Sequence, residues 1–314
     1  MPFVFFGSSD FAKIVLEKLL WTQMRPILII TNPPKPKGRK QILSPSPVHL
    51  LAQDDNIPVL TPERLDDPKF IAEFKNVKPE FAILTAYGKI IPPELLIIPP
   101  KGFINLHPSL LPKWRGATPI QSAILNGDEE TGVSLFLMDE ELDHGPIIQN
   151  AEYRIQNARI TYSELSKELA LLGAELIIKT IPQFLEGKIS PVPQNHSLAT
   201  YCQKILPEDE KIHWDKTNIE IDRKVRALNP QPGVFTKAVT GRGDEIILKI
   251  IKGYPEEDFF EGLPGKVFSY QDKMAVKCGK GFYAIEEIKP ASKRVMASED
   301  FLRGNKWILN QILQ

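Results

Sequence analysis

Three polar residues in the first half of the chain, Asn105, His107 and Asp143, could together move a small acyl group such as formyl onto an amine. Such a transfer passes through a tetrahedral intermediate, whose oxyanion needs hydrogen-bond donors and whose amine must lose a proton. The Asn105 amide and one ring nitrogen of His107 can donate. Asp143 can fix the imidazole tautomer, favour its charged form and accept the proton directly or through a water. This chemistry needs no serine or cysteine nucleophile.

The residues around Asn105 and His107 predict that both side chains lie at one edge of a sheet. Residues 102–106 form a short apolar run, in which period-2 alternation sends Asn105 and His107 to the same side. Pro108 then stops the strand. Composition alone would favour a capping or loop role for a lone His or Asn before a proline. Ligands bind at the carboxyl ends of strands in open α/β sheets, which favours the catalytic interpretation.

Asp143 is expected to return to the same place. It follows a second β-like run, residues 132–138, and precedes Gly145-Pro146. A strand followed by a loop at the same sheet edge would bring its carboxylate close to Asn105 and His107.

The first half of the chain alternates strand and helix signals, which predicts a doubly wound, mostly parallel, Rossmann-like α/β sheet. Apolar runs typical of buried strands occur at residues 3–6, 26–31, 81–85 and 103–105. Helix signals occur at residues 10–20, 118–125 and 162–185. The first turn has only Gly7 before Ser8-Ser9, so it lacks the dinucleotide-binding glycine pattern and an oxidoreductase is not expected.

The second half has a different pattern. Residues 188–204 are rich in proline and polar residues, which predicts a linker. After a helical segment within residues 212–228, five β-like runs occur at residues 235–239, 246–251, 266–270, 274–278 and 282–288. Five short strands separated by glycine-rich turns predict a small OB-like β-barrel. We therefore expect a catalytic domain over residues 1–187, a linker over 188–204 and a barrel domain over 205–314.

Composition favours a soluble, intracellular protein, which we expect to be cytoplasmic; the sequence carries no signal for oligomeric state, and a monomer is expected. The chain has 314 residues, 42% of them hydrophobic, which suffices for two cores. Its two cysteines, Cys202 and Cys278, lie in unrelated contexts, so neither a disulfide nor a metal site is expected. No leader segment and no membrane-spanning run is recognised.

Longer motifs surround the three polar residues. The span from Asn105 to Gln121, Asn-Leu-His-Pro-Ser-Leu-Leu-Pro-Lys-Trp-Arg-Gly-Ala-Thr-Pro-Ile-Gln, resembles the signature of folate-dependent formyltransferases, and Leu142-Asp143-His144-Gly145 follows at the matching distance. Further similarity extends over nearly the whole chain, at residues 7–12, 38–39, 45–48, 86–88, 127–132, 200–201, 212–215 and 226–233. Within that family, the full-length pattern is most similar to members that act on initiator methionyl-tRNA.

The resemblance implies roles for individual residues. Asn105, His107 and Asp143 would be catalytic, the donor would be 10-formyltetrahydrofolate as co-substrate, and no metal would take part. A further implied set would bind the folate: Ser109, Leu110, Leu111, Pro112, Tyr87 and Gly88.

The loop over residues 32–44 is implied to contact tRNA. It carries four basic residues, Lys35, Lys37, Arg39 and Lys40, and no acidic residue. The net charge of the chain is zero, but residues 266–306 hold nine Lys or Arg against five Asp or Glu. These two basic regions could follow phosphates of an acceptor stem, although an ordinary solvated surface is the alternative.

The chain departs from the family pattern at Ser8-Ser9, Glu141 and His144, and His144 could perturb or cover the Asp143 carboxylate. Three other functions share some of these features. A formyltransferase for a small amine and a 10-formyltetrahydrofolate hydrolase would use the same three residues, whereas a non-catalytic RNA-binding protein would need only the basic regions.

Overall fold

The computed structural model describes residues 1–37, 41–240 and 243–314, with Lys37 described by its backbone. The described residues divide into two compact units. The first comprises Met1–Pro119, Glu130–Ile155 and Ser166–Gln203, and the second comprises Ile120–Glu129, Gln156–Leu165 and Lys204–Gln314. The domain boundaries expected from the sequence stay a prediction.

The strands of the first unit are, in chain order, β1 (Phe3–Phe6), β2 (Leu28–Ile30), β3 (Lys35–Lys37), β4 (Ile42–Ser44), β5 (Val59–Leu60), β6 (Phe81–Leu84), β7 (Phe103–His107), β8 (Arg115–Gly116), β9 (Glu130–Leu137), β10 (Ile147–Arg154) and β11 (Tyr201–Cys202). Within the described residues, seven of them form one sheet in the order β10-β9-β7-β6-β1-β2-β5. The pairs from β5 to β7 are parallel, whereas β9 runs antiparallel to both β7 and β10. The mostly parallel sheet predicted from the sequence is therefore confirmed.

The helices of the described chain are α1 (Asp10–Leu20), α2 (Pro47–Asp54), α3 (Pro68–Val77), α4 (Pro93–Leu96), α5 (Pro119–Asn126), α6 (Tyr162–Leu185), α7 (Asn218–Leu228) and α8 (Ser298–Gly304). Short 3₁₀ turns occur at His196–Leu198, Pro207–Glu210 and Lys306–Ile308. In the described part of the chain, no helix combines the length and the apolar character that crossing a membrane requires.

Local sequence explains where these elements begin. The Ser9 hydroxyl caps α1 by accepting a hydrogen bond from the Ala12 amide at 3.3 Å, and Asp67 caps α3 in the same way. The strands β1 and β6 are buried at every position, which is why their sequences are continuously apolar rather than alternating. Strand β7 is buried throughout as well, although it carries Asn105 and His107. The core beside them is rich in aromatic rings, with Phe6 packed between Phe74, Tyr87 and Phe103.

The second unit is built on an antiparallel sheet. Its strands are β12 (Val234–Val239), β13 (Glu245–Glu256), β14 (Val267–Tyr270), β15 (Lys273–Lys277), β16 (Phe282–Pro290) and β17 (Met296–Ala297). In the described residues they pair in the order β12-β13-β16-β15-β14, with β17 added to β16. The long strands β13 and β16 carry register shifts between Ile250 and Gly253, which bend the sheet. This curved antiparallel sheet is the small barrel-type domain predicted from the sequence.

Candidate active site

Asn105 and His107 occupy the carboxyl end of β7. The strand pairs with β6 on one side and β9 on the other, and this register places His107 opposite Ser134. The side chains of Asn105 and His107 point to the same face, as period 2 predicts, and the residues are only 7% and 4% exposed. The sheet therefore fixes two polar groups at its edge before any loop contributes.

Asp143 reaches these two residues from the loop between β9 and β10. Its backbone is left-handed, with φ of 48°. Its Oδ2 accepts a hydrogen bond from the Gly116 amide at 2.8 Å. Asn105 Nδ2 lies 3.5 Å from Asp143 Oδ1, and His107 Nδ1 lies 3.6 Å from Oδ2. The structure thus brings together the three residues that the sequence singled out.

The orientation of His107 is fixed by a backbone group that sequence reasoning did not identify. His107 Nε2 lies 2.9 Å from the carbonyl oxygen of Trp114, which can only accept a hydrogen bond. Nε2 therefore carries a proton, and Nδ1 faces Asp143. The Trp114 carbonyl thus holds one ring nitrogen, and the role of the Asp143 carboxylate in orienting the ring stays a prediction.

The segment over Ser109, Leu110, Leu111 and Pro112 is held by a buried serine on β9. The Ser134 hydroxyl donates to the Ser109 carbonyl at 2.7 Å and accepts from the Leu111 amide at 2.9 Å. Ser109 itself is 1% exposed, and its hydroxyl donates to the Lys113 carbonyl at 2.5 Å. Leu111 is also buried, so the partly exposed side chains of Leu110 and Pro112 are the ones available to a ligand.

Tyr87 and Gly88, both implied to bind folate, differ in their exposure. The Tyr87 ring is buried in the hydrophobic core and lies edge-on to Phe6 at 5.5 Å. Burial raises the pKa of the Tyr87 phenol, whose oxygen has no hydrogen-bond partner among the described residues. Gly88 is exposed and has φ of 81°. Gly88 and the backbone of Tyr87 can therefore line a site, whereas the Tyr87 side chain cannot.

The basic loop expected to contact tRNA contains a two-stranded hairpin of β3 and β4, in which Lys35 pairs with Ser44. Lys35 is exposed, and so are the apolar side chains of Ile42 and Leu43. Arg39, Lys40 and the side chain of Lys37 lie outside the described residues.

The departures from the family pattern have local explanations. Ser9 caps α1, and the Ser8 hydroxyl lies 3.1 Å from the Thr31 hydroxyl and accepts from the Asn32 amide at 3.0 Å. His144 Nδ1 lies 2.7 Å from Asp139 Oδ2, so His144 pairs with Asp139 instead of contacting the Asp143 carboxylate. Its Nε2 lies 3.9 Å from Glu141 Oε2.

Sequence reasoning missed two further features of the site. Within residues 188–204, whose role as a linker stays a prediction, Val192 forms a β-bridge with Ile147, and β11 pairs with β8 at Arg115. Arg115 itself is 2% exposed, and its guanidinium bonds within the protein rather than facing a ligand. Long-range contacts of this kind leave no periodic signal in the sequence. In the described part of the chain, no cluster of three or more His, Cys, Asp or Glu side chains could hold a metal ion.

Two family models match the chain. The model described as "Formyl transferase" matches residues 1–181, and the one described as "Formyl transferase, C-terminal domain" matches residues 204–306. The chain therefore belongs to the formyl transferase family, as its motifs predicted.

Within this family, the similarity to methionyl-tRNA formyltransferases covers almost the full length. The enzyme of that name from Dictyoglomus thermophilum is 39% identical over 313 residues, covering 97% of each chain. The one from Thermodesulfovibrio yellowstonii is 37% identical over 303 residues, covering 96% of each. The chain is thus a member of the methionyl-tRNA formyltransferase family.

Solved structures share the fold at lower identity. An N-formyltransferase from Helicobacter canadensis, in complex with folinic acid and dTDP-3-aminofucose, has a TM-score of 0.62 at 22% identity, covering 90% of this chain and 97% of that one. HypX from Aquifex aeolicus, in complex with tetrahydrofolic acid, has a TM-score of 0.63 at 18% identity, covering 96% of this chain and 46% of HypX. The chain therefore spans about half the length of HypX. These likenesses confirm the fold class.

Proposed function

We propose that this chain transfers the formyl group of 10-formyltetrahydrofolate to the free α-amino group of methionine on initiator methionyl-tRNA. The observation that carries the proposal is the convergence of three side chains from a strand and a separate loop: Asn105 Nδ2 lies 3.5 Å and His107 Nδ1 lies 3.6 Å from the Asp143 carboxylate. Full-length similarity to methionyl-tRNA formyltransferases supports the choice of acceptor.

In the first step, the neutral amine attacks the formyl carbon, a C–N bond forms, and the carbonyl π electrons move to oxygen. Asn105 Nδ2 and His107 Nδ1 are the donors that stabilise this oxyanion. Because His107 Nε2 keeps its proton for the Trp114 carbonyl, Nδ1 can donate only when the ring is cationic. The Asp143 carboxylate lies 3.6 Å from Nδ1, on the side of the ring from which this proton is donated.

In the second step, Asp143 accepts the proton that the attacking nitrogen must lose, directly or through a water. The bond between the formyl carbon and N10 of the folate then breaks, and N10 leaves with its electron pair. The proton held by Asp143 goes to N10, so the carboxylate is regenerated and the charges balance. No covalent intermediate with the protein is needed.

We assign the two substrates to different sets of residues. We assign the folate to the segment Ser109–Pro112 and to Gly88, where Leu110, Pro112 and the exposed glycine provide the available surface. We assign the tRNA acceptor end to the loop of the β3–β4 hairpin with its basic residues Lys35, Lys37, Arg39 and Lys40, and the rest of the tRNA to the basic residues 266–306 of the second unit. We also propose that the chain acts as a monomer in the cytoplasm.

The test is formyl transfer from 10-formyltetrahydrofolate by the full chain, with four parallel reactions: charged initiator tRNA, charged elongator tRNA, a small amine, and no acceptor. The proposal predicts transfer selective for the initiator. Formate release without acceptor would identify a hydrolase, and equal transfer to the small amine would identify a small-amine formyltransferase. Salt-sensitive tRNA binding with no transfer would identify a non-catalytic binding protein.

A further inference from the structure

Gln194 lies in the segment that the sequence predicted to be a linker. Its side chain contacts the loop that carries Asp143. The residue is 6% exposed. Its amide nitrogen Nε2 donates to the carbonyl oxygens of Asp143 and Gly145, at 2.9 and 2.8 Å. Both hydrogens of one carboxamide are therefore used to hold the two carbonyls that flank His144.

A buried arginine sets the orientation of this carboxamide. Arg115 is 2% exposed, and its Nη2 and Nε donate to Gln194 Oε1 at 2.7 and 3.2 Å. A guanidinium has donors and no acceptor, so the oxygen of the carboxamide must face it. The nitrogen of Gln194 is then the atom left for the 143–145 loop.

His196 adds a second contact to the same loop. Its Nδ1 lies 2.8 Å from Arg115 Nη2 and must accept, which leaves the ring proton on Nε2. The His196 ring stacks on the His144 ring with a centroid distance of 4.0 Å and an interplanar angle of 5°. We call Arg115, Gln194 and His196 the loop clamp.

The loop needs such a clamp because Asp143 has a backbone conformation that residues with a Cβ rarely adopt, with φ of 48°. Next to it, Gly145 lies so close to the Leu137 carbonyl that an added Cβ would collide with it. The position of the Asp143 carboxylate, 3.5 Å from Asn105 and 3.6 Å from His107, depends on this local geometry.

We propose that Gln194 is a positioning residue for catalysis, which holds the 143–145 loop so that the Asp143 carboxylate faces Asn105 and His107. This inference rests on the proposed catalytic role of Asp143. Gln194 acts through Asp143: its side chain is engaged with Arg115 and two backbone carbonyls.

The informative variant is Gln194→Glu. Its carboxylate still accepts from Arg115 but cannot donate to the Asp143 and Gly145 carbonyls. A displacement of the reacting group by about 1 Å can cost about 100-fold in rate, so we expect kcat to fall by about 10- to 100-fold. The KM values for folate and for tRNA should stay within about twofold, because the Gln194 side chain is buried and bonded to Arg115 and two backbone carbonyls.

The matched control is Gln183→Glu on α6. Gln183 also donates its amide nitrogen to a backbone carbonyl, that of Lys179 at 2.8 Å, but at an exposed site outside the proposed machinery. The same change of chemistry there should leave kcat and both KM values as in the parent. Wild-type kcat in Gln194→Glu would show that the contact with Arg115 is all that matters, and would overturn the proposal.

A double-mutant cycle separates the clamp from the proposed function. If Gln194 acts through Asp143, then Gln194→Glu lowers kcat in the parent and causes no further loss in an Asp143→Ala background. Equal losses in both backgrounds would overturn the positioning role. If Gln194→Glu melts below the assay temperature, Gln194→Met takes its place in the cycle, since it fills a similar volume without a donor. Absence of transfer by the parent chain would contradict the proposed function instead.

Discussion

Asn105 and His107 lie on a strand, whereas Asp143 lies in a loop. The strand half of the site is held by regular sheet pairing, and the loop half is held by individual hydrogen bonds. The strand residues take their positions from the register between β6, β7 and β9. The carboxylate takes its position from the Gly116 amide, and its loop from Gln194, residues distant from it in sequence. A site can thus combine a half fixed by sheet register with a half fixed by a few long-range hydrogen bonds, and the second half should be easier to disturb.

The largest effects are expected from removing the reacting groups themselves. Asn105→Ala, His107→Ala and Asp143→Ala should each lower kcat by about 100- to 1000-fold, because each removes an oxyanion donor or the proton acceptor. Circular dichroism and thermal unfolding serve as the controls for fold. A near-parental rate in any one variant would remove that residue from the mechanism, whichever half it belongs to.

Breaking the loop half without touching a reacting side chain should have the next largest effect. In Gly116→Ala, the new Cβ would collide with the Cys202 carbonyl at a backbone φ of 118°, so the amide that bonds Asp143 Oδ2 must move. We expect kcat to fall by about 10- to 100-fold.

Gly187→Ala is the matched control, because Gly187 also has a positive φ, of 74°, but open space around it. It should lose about 1 kcal/mol of stability through backbone strain and keep its kcat. If both alanine variants lose activity equally, strain alone explains Gly116→Ala and the role of its amide is wrong.

The next substitution tests the hydrogen bonds that hold the segment following strand β7. Ser134→Ala removes the hydroxyl that bonds the Ser109 carbonyl and the Leu111 amide, leaving both buried groups unpaired at a cost of about 1–3 kcal/mol. We expect a KM for folate raised several-fold with a smaller change in kcat, measured by steady-state kinetics at saturating tRNA. An unchanged KM would argue that Leu110 and Pro112 do not contact the folate.

The smallest effect is expected at Tyr87. Tyr87→Phe removes a buried hydroxyl without a described partner, so it should leave kcat and the folate KM unchanged and stabilise the chain by up to about 1 kcal/mol. Chemical denaturation measures the stability. A raised folate KM would mean that the phenol reaches the ligand after all.

The same contrast explains what could be predicted from the sequence. The α1 helix and the β7 strand were predicted close to their observed bounds because their apolar spacing is periodic. Strand β10 was missed because it lies at the sheet edge and carries polar residues such as Gln149 and Glu152. At the site, the choice of Asn105, His107 and Asp143, whose catalytic role is proposed, followed from their chemistry and motifs. The Trp114 carbonyl, Ser134 and Gln194 did not, because a hydrogen bond between distant segments has no signature in either one.

The most direct test of the account is a single-turnover measurement of formyl transfer to charged initiator tRNA, with enzyme in excess, comparing the parent with Asp143→Asn. The substitution keeps the size of the side chain but removes its ability to accept the amine proton. The account predicts a transfer rate lower by at least about 100-fold with folate and tRNA binding retained. A single-turnover rate equal to that of the parent would contradict the role of Asp143 and, with it, the central claim that this loop completes the active site.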